Sequence, residues 1–299
     1  GGDINVNAPV TLSGGHATLA MTYGGDYNIR TKASYSGAVI GPDGYPAAKV
    51  DTSGGVYGSI TLGGANASLA INNQNYTLIH SLDQLAALDD ATGTAGGNFA
   101  LAQDLDASGT TYSATGGTCF GVVAKLSGTL TGLGHTISNL TINAPTTPNV
   151  GLVGQTLAGS TIRDIGLVDA SVTGRGSIGT LLGWGATTAV KNVYATGSVV
   201  SAATVPGQGN NIGGLIGRLQ GGSISSSYTD VAVNGWTGVG GLVGLAQANG
   251  AVGVTISDSH AEGAVTAKSS TVGGLVGNLS AGSLIFSYAT GDVTNSVGG

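Results

Sequence analysis

Apolar and polar residues along this chain alternate with a period of two in short runs. Examples are Thr18-Leu19-Ala20-Met21, Gly128-Thr129-Leu130-Thr131 and His135-Thr136-Ile137-Ser138-Asn139-Leu140-Thr141-Ile142. Each run is rich in β-branched residues and ends at glycine or a polar turn, which is the pattern of a short strand with one buried face. One stretch differs. In residues 81–88, Leu82, Leu85 and Leu88 recur at helical spacing, and Ser81 is followed three positions later by Gln84, as in a capping box. A short helix near 81–89 is therefore predicted in a chain otherwise made of strands.

The runs are organised by repetition. Val150-Gly151-Leu152-Val153-Gly154 returns as Ile178-Gly179-Thr180-Leu181-Leu182-Gly183 and as Ile212-Gly213-Gly214-Leu215-Ile216-Gly217. It comes back over 239–244 and 272–277 and starts again at Val297. Its final glycines are Gly154, Gly183, Gly217, Gly244 and Gly277, a period of about 30 residues. A tyrosine motif follows: Tyr194, Tyr228 and Tyr288 stand at one constant interval after Gly183, Gly217 and Gly277. In the fourth repeat His260 takes the tyrosine slot after a longer interval from Gly244, which marks 246–253 as a five-residue insertion. Further toward the N-terminus, Val10-Thr11-Leu12 matches Ile60-Thr61-Leu62, His16–Met21 matches Asn66–Ile71 and Ile29 matches Ile79, all at an offset of 50, read as two coils of about 25 residues.

Periods of this size denote stacked-repeat architectures. Short strands without helices between them exclude leucine-rich and helical repeats. The predicted fold is all-β: one right-handed parallel β-helix of about twelve coils, roughly 55 Å long at ~4.8 Å per strand. Three segments are distinguished within it: a shaft over 1–80, the helix with transition coils over 81–148, and regular coils over 149–299. The Tyr194–Tyr228–His260–Tyr288 positions should form one column, and Leu152, Leu181, Leu215, Leu242 and Leu275 a buried one.

Composition narrows the function. Glycine occurs 56 times in 299 residues and only 8% of residues are charged, which excludes coiled coils. Nine Lys and Arg against fifteen Asp and Glu leave no basic stripe for nucleic acid. No apolar run is long enough for a transmembrane helix. The single Cys119 rules out an internal disulfide and is read as a small buried hydrophobe. The opening Gly1-Gly2-Asp3 and the motif restarting at Val297 are read as the edges of a piece of a longer polypeptide.

The Gly-Gly-Leu-Val-Gly run at 273–277 followed by Ser-Tyr-Ala-Thr-Gly at 287–291 resembles the GLUG repeat. The lead-in from Tyr76 through Asp106 to Ile137, and the opening Gly2-Asp3-Ile4-Asn5-Val6-Asn7-Ala8-Pro9-Val10, resemble filamentous-haemagglutinin-like exoproteins of Gram-negative bacteria. That resemblance implies a secreted adhesin shaft at the cell surface. It also implies an outer-membrane transporter as secretion partner and a host or neighbouring-cell glycan or protein as ligand. GLUG repeats also accompany immunoglobulin-A-cleaving metallopeptidases, outside their catalytic part.

Candidate chemistry is sparse, so no catalytic residue, cofactor or metal is assigned. None of His16, His80, His135 and His260 is followed by Glu, so no zinc-peptidase motif is present. The alternating Asp258, His260 and Glu262 could make an acid–base cluster, as in the β-helical polysaccharide lyases and hydrolases that form the alternative reading, but they occupy repeat positions filled elsewhere by tyrosine and threonine. Asp104 and Asp106 alternate and could serve calcium. Asp89-Asp90 reads as a solvated helix end and Arg163-Asp164 as an exposed pair. Where function would lie is in the turns that depart most from the repeat, with Gln208, Asn210, Asn211, Gln247 and Asn249, together with Trp236, as candidate partner-binding residues.

Overall fold

The computed structural model describes residues 4–12, 17–22, 27–29, 38–40, 46–48, 58–64, 66–89, 91–205, 208, 210–268 and 271–296. His16, Asp90, Pro206 and the motif restart at 297–299 lie outside these residues.

The chain is a parallel β-solenoid. Its coils share three sheets of thirteen, eleven and five strands. Register through the largest sheet runs Phe99, Leu130, Ile162, Val190, Ile224, Ile256 and Leu284, each opposite the next. These six steps carry the regular part of the molecule. The expectation of twelve coils is therefore too high. The coils are longer than that count assumed, and the N-terminal strands do not continue the same stack.

The glycine motif is a packing requirement. It forms the corner between the five-stranded and thirteen-stranded sheets, and there each coil's backbone lies directly on the next. A Cβ on Gly217 would sit on the backbone nitrogen of Ile178, and one on Gly244 on that of Ile212. Between these glycines the leucines point inward. Leu152, Leu181, Leu215 and Leu242 are fully buried, and Leu275 nearly so, one per coil. The expected leucine column is present.

At the opposite corner the chain turns through a residue in the left-handed region: Asp164, Asn192, Ser226, Asp258 and Phe286, with φ between 48° and 59°. The turn interrupts the backbone ladder, and a serine column repairs it. The N–H of Val193 donates to Ser227 Oγ at 3.1 Å, that of Ser227 to Ser259 Oγ at 3.1 Å, and that of Ser259 to Ser287 Oγ at 3.2 Å. Each hydroxyl in turn donates to the carbonyl two positions earlier in its own coil. The buried donors are thus satisfied where strand pairing lapses.

The N-terminal strands are β1 (Ile4–Val6), β2 (Pro9–Leu12), β3 (Thr18–Met21), β4 (Tyr27–Ile29), β5 (Ala38–Ile40), β6 (Pro46–Ala48), β7 (Ser59–Leu62) and β8 (Ser68–Ile71). The expected register is present in two of its three matches, Val10 with Ile60 and Leu19 with Leu69, whereas Ile29 pairs with Val6 and Ile79 with Leu101. It spans one coil, however, not two. β1 pairs with β4, Ile4 opposite Tyr27, whereas β2 pairs with β7, Pro9 opposite Ser59. The coil is therefore lengthened by an insertion between β4 and β7. That insertion contains the antiparallel β5–β6 hairpin.

A second hairpin then reverses the chain. β8 runs antiparallel to β9 (Gln74–Ile79) through Asn72 and Asn73, both at positive φ. β9 pairs in parallel with β10 (Ala95–Leu101), the first strand of the regular stack. Between them α1 (Leu82–Ala86) places Leu85 fully in the core. Its N-cap is as the sequence implies, with Gln84 N donating to Ser81 Oγ at 3.2 Å. The reciprocal contact shifts by one position, because Gln84 Oε1 accepts from the N–H of His80 at 2.7 Å.

The reversal folds the N-terminal coils against the corner of the main stack. Arg163 stacks over the Tyr27 ring, 3.7 Å from its centroid, and donates to the Tyr27 carbonyl. Asn192 donates to Ile29 O at 2.6 Å and to Asp164 Oδ1 at 2.7 Å. Asp164 has no exposed surface and lies 2.6 Å from Arg163 Nε. The reading of Arg163-Asp164 as an exposed pair is corrected here. Its cover comes from β4, a strand more than a hundred residues earlier in the sequence.

Candidate functional site

The six candidate binding residues divide between two faces of the coil. Asn210 and Asn211 lie in the central strand of the five-stranded sheet, and Trp236 immediately precedes the strand paired with it. Asn210 lies opposite Thr237, and Gly238 packs on Asn211. Trp236 Nε1 donates to Ala203 O at 2.8 Å, and Lys268 Nζ stands 5.1 Å from its ring centroid. The indole thus pins the 201–205 segment. Gln208 is exposed in the same turn.

Gln247 belongs to the thirteen-stranded sheet instead, and Asn249 to the turn that follows it. Gln247 is paired in register with Gln220. Asn249 closes the inserted turn through paired backbone hydrogen bonds with Val252, and its Nδ2 donates to Thr187 Oγ1 at 2.9 Å, two coils away. The insertion is thereby folded onto the sheet.

The aromatic column is continuous. Tyr194, Tyr228, His260 and Tyr288 stack with centroids 5.4, 5.0 and 4.9 Å apart and planes within 7°. It starts at Tyr194 because that ring covers Gly166, the equivalent position one coil earlier. His260 is 2% exposed, and burial pushes its imidazole down to about 4. Its Nε2 lies 3.5 Å from Glu262 Oε1, beyond hydrogen-bond geometry, so neither ring nitrogen has a hydrogen-bond partner. Burial, and secondarily the neighbouring Asp230, raises the Glu262 carboxyl. Asp258 sits at the left-handed corner. His260 therefore occupies a packing position and Asp258 a corner of the repeat, while Glu262 is exposed beside them. Among the described residues no three His, Cys, Asp or Glu side chains gather as a metal group.

Asp104 and Asp106 line a cleft of about 330 Å³ with His80, Asp83 and Gln103. Their oxygens are engaged by the chain itself. Asp104 accepts from Thr136 N at 2.8 Å and faces His135 Nδ1 at 3.2 Å. These contacts, His135 foremost, hold its carboxyl below the usual range. Asp106 accepts from Ser108 N at 2.9 Å and Asn139 Nδ2 at 2.8 Å. His135 Nε2 reaches across to Ile60 O at 3.0 Å, so the pair ties β7 to the stack. Cys119 is partly exposed, and burial, the main influence on it, raises its thiol.

The two large sheets differ in charge, which no single motif of the sequence announces. The thirteen-stranded sheet contains no Asp or Glu in any strand, yet holds Lys125, Arg163, Lys191 and Arg218. The eleven-stranded sheet has Asp106, Asp169 and Asp230 and no Lys or Arg. On the outer face of the cationic sheet, Lys125, Gln155, Trp184, Arg218, Leu245 and Asn278 follow one another in register. The signal available in the sequence is the residue that follows each motif glycine: Gln155, Trp184, Arg218, Leu245 and Asn278.

No protein-family profile matches the chain. Over 207 residues, 67% of its length, the chain is 36% identical to Halomucin of Haloquadratum walsbyi. It spans only 2% of the length of that relative. In three dimensions it is similar, at a TM-score of 0.53 and 20% identity, to a solved structure described as a "putative immunoglobulin A1 protease from Bacteroides ovatus". The likeness covers 72% of this chain and 75% of the other, and at that identity it shows a shared fold alone.

Proposed function

We propose that this chain is a shaft segment of a long surface or secreted protein, with a structural role and contacts made along its length. The observation that carries the reading is the six-step ladder, in which glycine, leucine, serine and aromatic positions are all committed to stacking. The similarity to Halomucin, of which the matched stretch is so small a share, supports a segment within a much larger polypeptide. A non-catalytic role is in keeping with His260 serving the aromatic column and Asp258 the corner of the coil.

In its finer form the proposal is an adhesin segment exported to the cell surface. Its partner would be a glycan or protein of a host or neighbouring cell, met through the outward polar columns and exposed turn residues such as Gln208. Haemagglutinin-type export through an outer-membrane transporter rests on the resemblance of the repeat motifs. The test is antibody labelling of residues 149–299 on cells of the source organism. Labelling of intact cells, or of the culture medium, is expected. Signal confined to permeabilised cells would overturn the reading.

A further inference from the structure

We propose that the outer face of the thirteen-stranded sheet, centred on Trp184 and Arg218, binds an acidic polysaccharide. The inference rests on the shaft reading above and gives it a site and a ligand class.

Charge is the first argument. The chain carries a formal net charge of −6, yet no strand of this sheet has a carboxylate. Arg163 is consumed by the junction with Tyr27 and Asp164. Lys125 and Arg218 flank Trp184 on the outer column, at two coils and one coil distance. Asp89 does reach the edge of the sheet, accepting from Ala124 N at 2.9 Å beside Lys125, so the complement to an anionic ligand is strongest around Trp184 and Arg218, where no strand carries an acid.

The second argument is the kind of surface. Arg218 stands 5.7 Å from the Trp184 ring centroid. The half-buried pair presents its outer face, while the Nε of Arg218 and the Nε1 of Trp184 are turned inward and have no acceptor among the described residues, so a ligand would meet the indole ring and the guanidinium rather than these two atoms. Around them are the amides of Gln155, Gln220, Gln247 and Asn278. A tryptophan offers an apolar ring to the C–H face of a sugar, amides match its hydroxyls, and a guanidinium pairs with a carboxylate or sulfate. The column from Lys125 to Asn278 runs about 24 Å at ~4.8 Å per strand, so it sets cationic, amide and aromatic groups along a line. That geometry suits a polymer and explains why no deep pocket is required.

The experiment uses the whole chain with Trp236→Phe, which leaves Trp184 as the sole indole. Its emission is followed while dextran sulfate, polygalacturonate or neutral dextran is added at low salt, with circular dichroism as the check on folding. Sulfated or uronate polymer is expected to shift the emission, neutral dextran to leave it unchanged, and the two acidic polymers to show which anion is preferred. Lys125→Gln with Arg218→Gln should weaken binding by about tenfold or more, as loss of charge-assisted contacts requires, and added salt should act likewise. No response to either acidic polymer, or equal binding by the double variant, overturns the proposal. Sedimentation supplies one further outcome: if the double variant abolishes self-association and no polymer binds, the strip is a contact between copies and the ligand is wrong. Either failure leaves the shaft reading standing, because that reading is judged by surface labelling.

Discussion

His260 lies face to face on Tyr228, ring centroids 5.0 Å apart and planes 2° from parallel. The imidazole of the column is thus held in a position that its neighbours fill with phenols. Burial lowers it from 6.5 to about 4, so the unfolded chain binds this proton more tightly than the folded one. Stability from this group is complete above about pH 6.5 and is lost as the pH falls toward 4, by about 3 kcal/mol in all. His260→Tyr should remove that part of the acid limb and raise the thermal midpoint at pH 5 more than at pH 8. Parallel pH profiles of variant and parent would show the idea wrong.

The motif glycines predict a sharp contrast. Gly217→Ala places a methyl on the Ile178 backbone, whereas Gly96→Ala meets nothing within 4 Å. The first should cost about 1–3 kcal/mol or more, the ordinary range for overpacking, and the second almost nothing. Urea midpoints of the two variants, measured side by side, test this.

For the serine column the expected loss is local. Ser227→Ala strips the N–H of Val193 of its acceptor inside the core and should destabilise by about 1–3 kcal/mol. Hydrogen exchange should accelerate first at Val193. Uniform acceleration along the coil would argue against a corner-specific role.

The junction with the N-terminal coils predicts non-additivity. Arg163→Met alone leaves Asp164 buried without its cation and should cost about 3–5 kcal/mol. Arg163→Met with Asp164→Asn should recover part of that loss. A double variant as unstable as the sum of the singles would place the stability elsewhere.

Much of the architecture was readable because a repeat states its own register. Once the glycines align, Leu152 must fall on Leu181 and Tyr194 on Tyr228, whatever shape the coil takes. The N-terminal match aligned Val10 with Ile60 for the same reason. It could not reveal the insertion between β4 and β7, since β1 and β4 share only a central asparagine in Ile4-Asn5-Val6 and Tyr27-Asn28-Ile29. Burial of Asp164 was illegible because its cover, Tyr27 and Ile29, arrives through the reversal at Asn72 and Asn73. The sheet-wide separation of charge was also missed, because it belongs to no single motif. It emerges only when strands a coil apart are laid side by side.

The way successive coils are joined has a mechanical consequence. Their backbone hydrogen bonds point from one coil to the next, along the direction in which the stack grows. Tension applied between the two ends of the stack therefore loads one inter-coil layer at a time, and the coils should peel off singly. Each detached coil releases its whole length as slack before the next begins to yield. Resistance would be modest at any instant but sustained over a long extension, and refolding could restart from the coil that remains, with its exposed edge as template. A tether built this way would absorb a pull by lengthening.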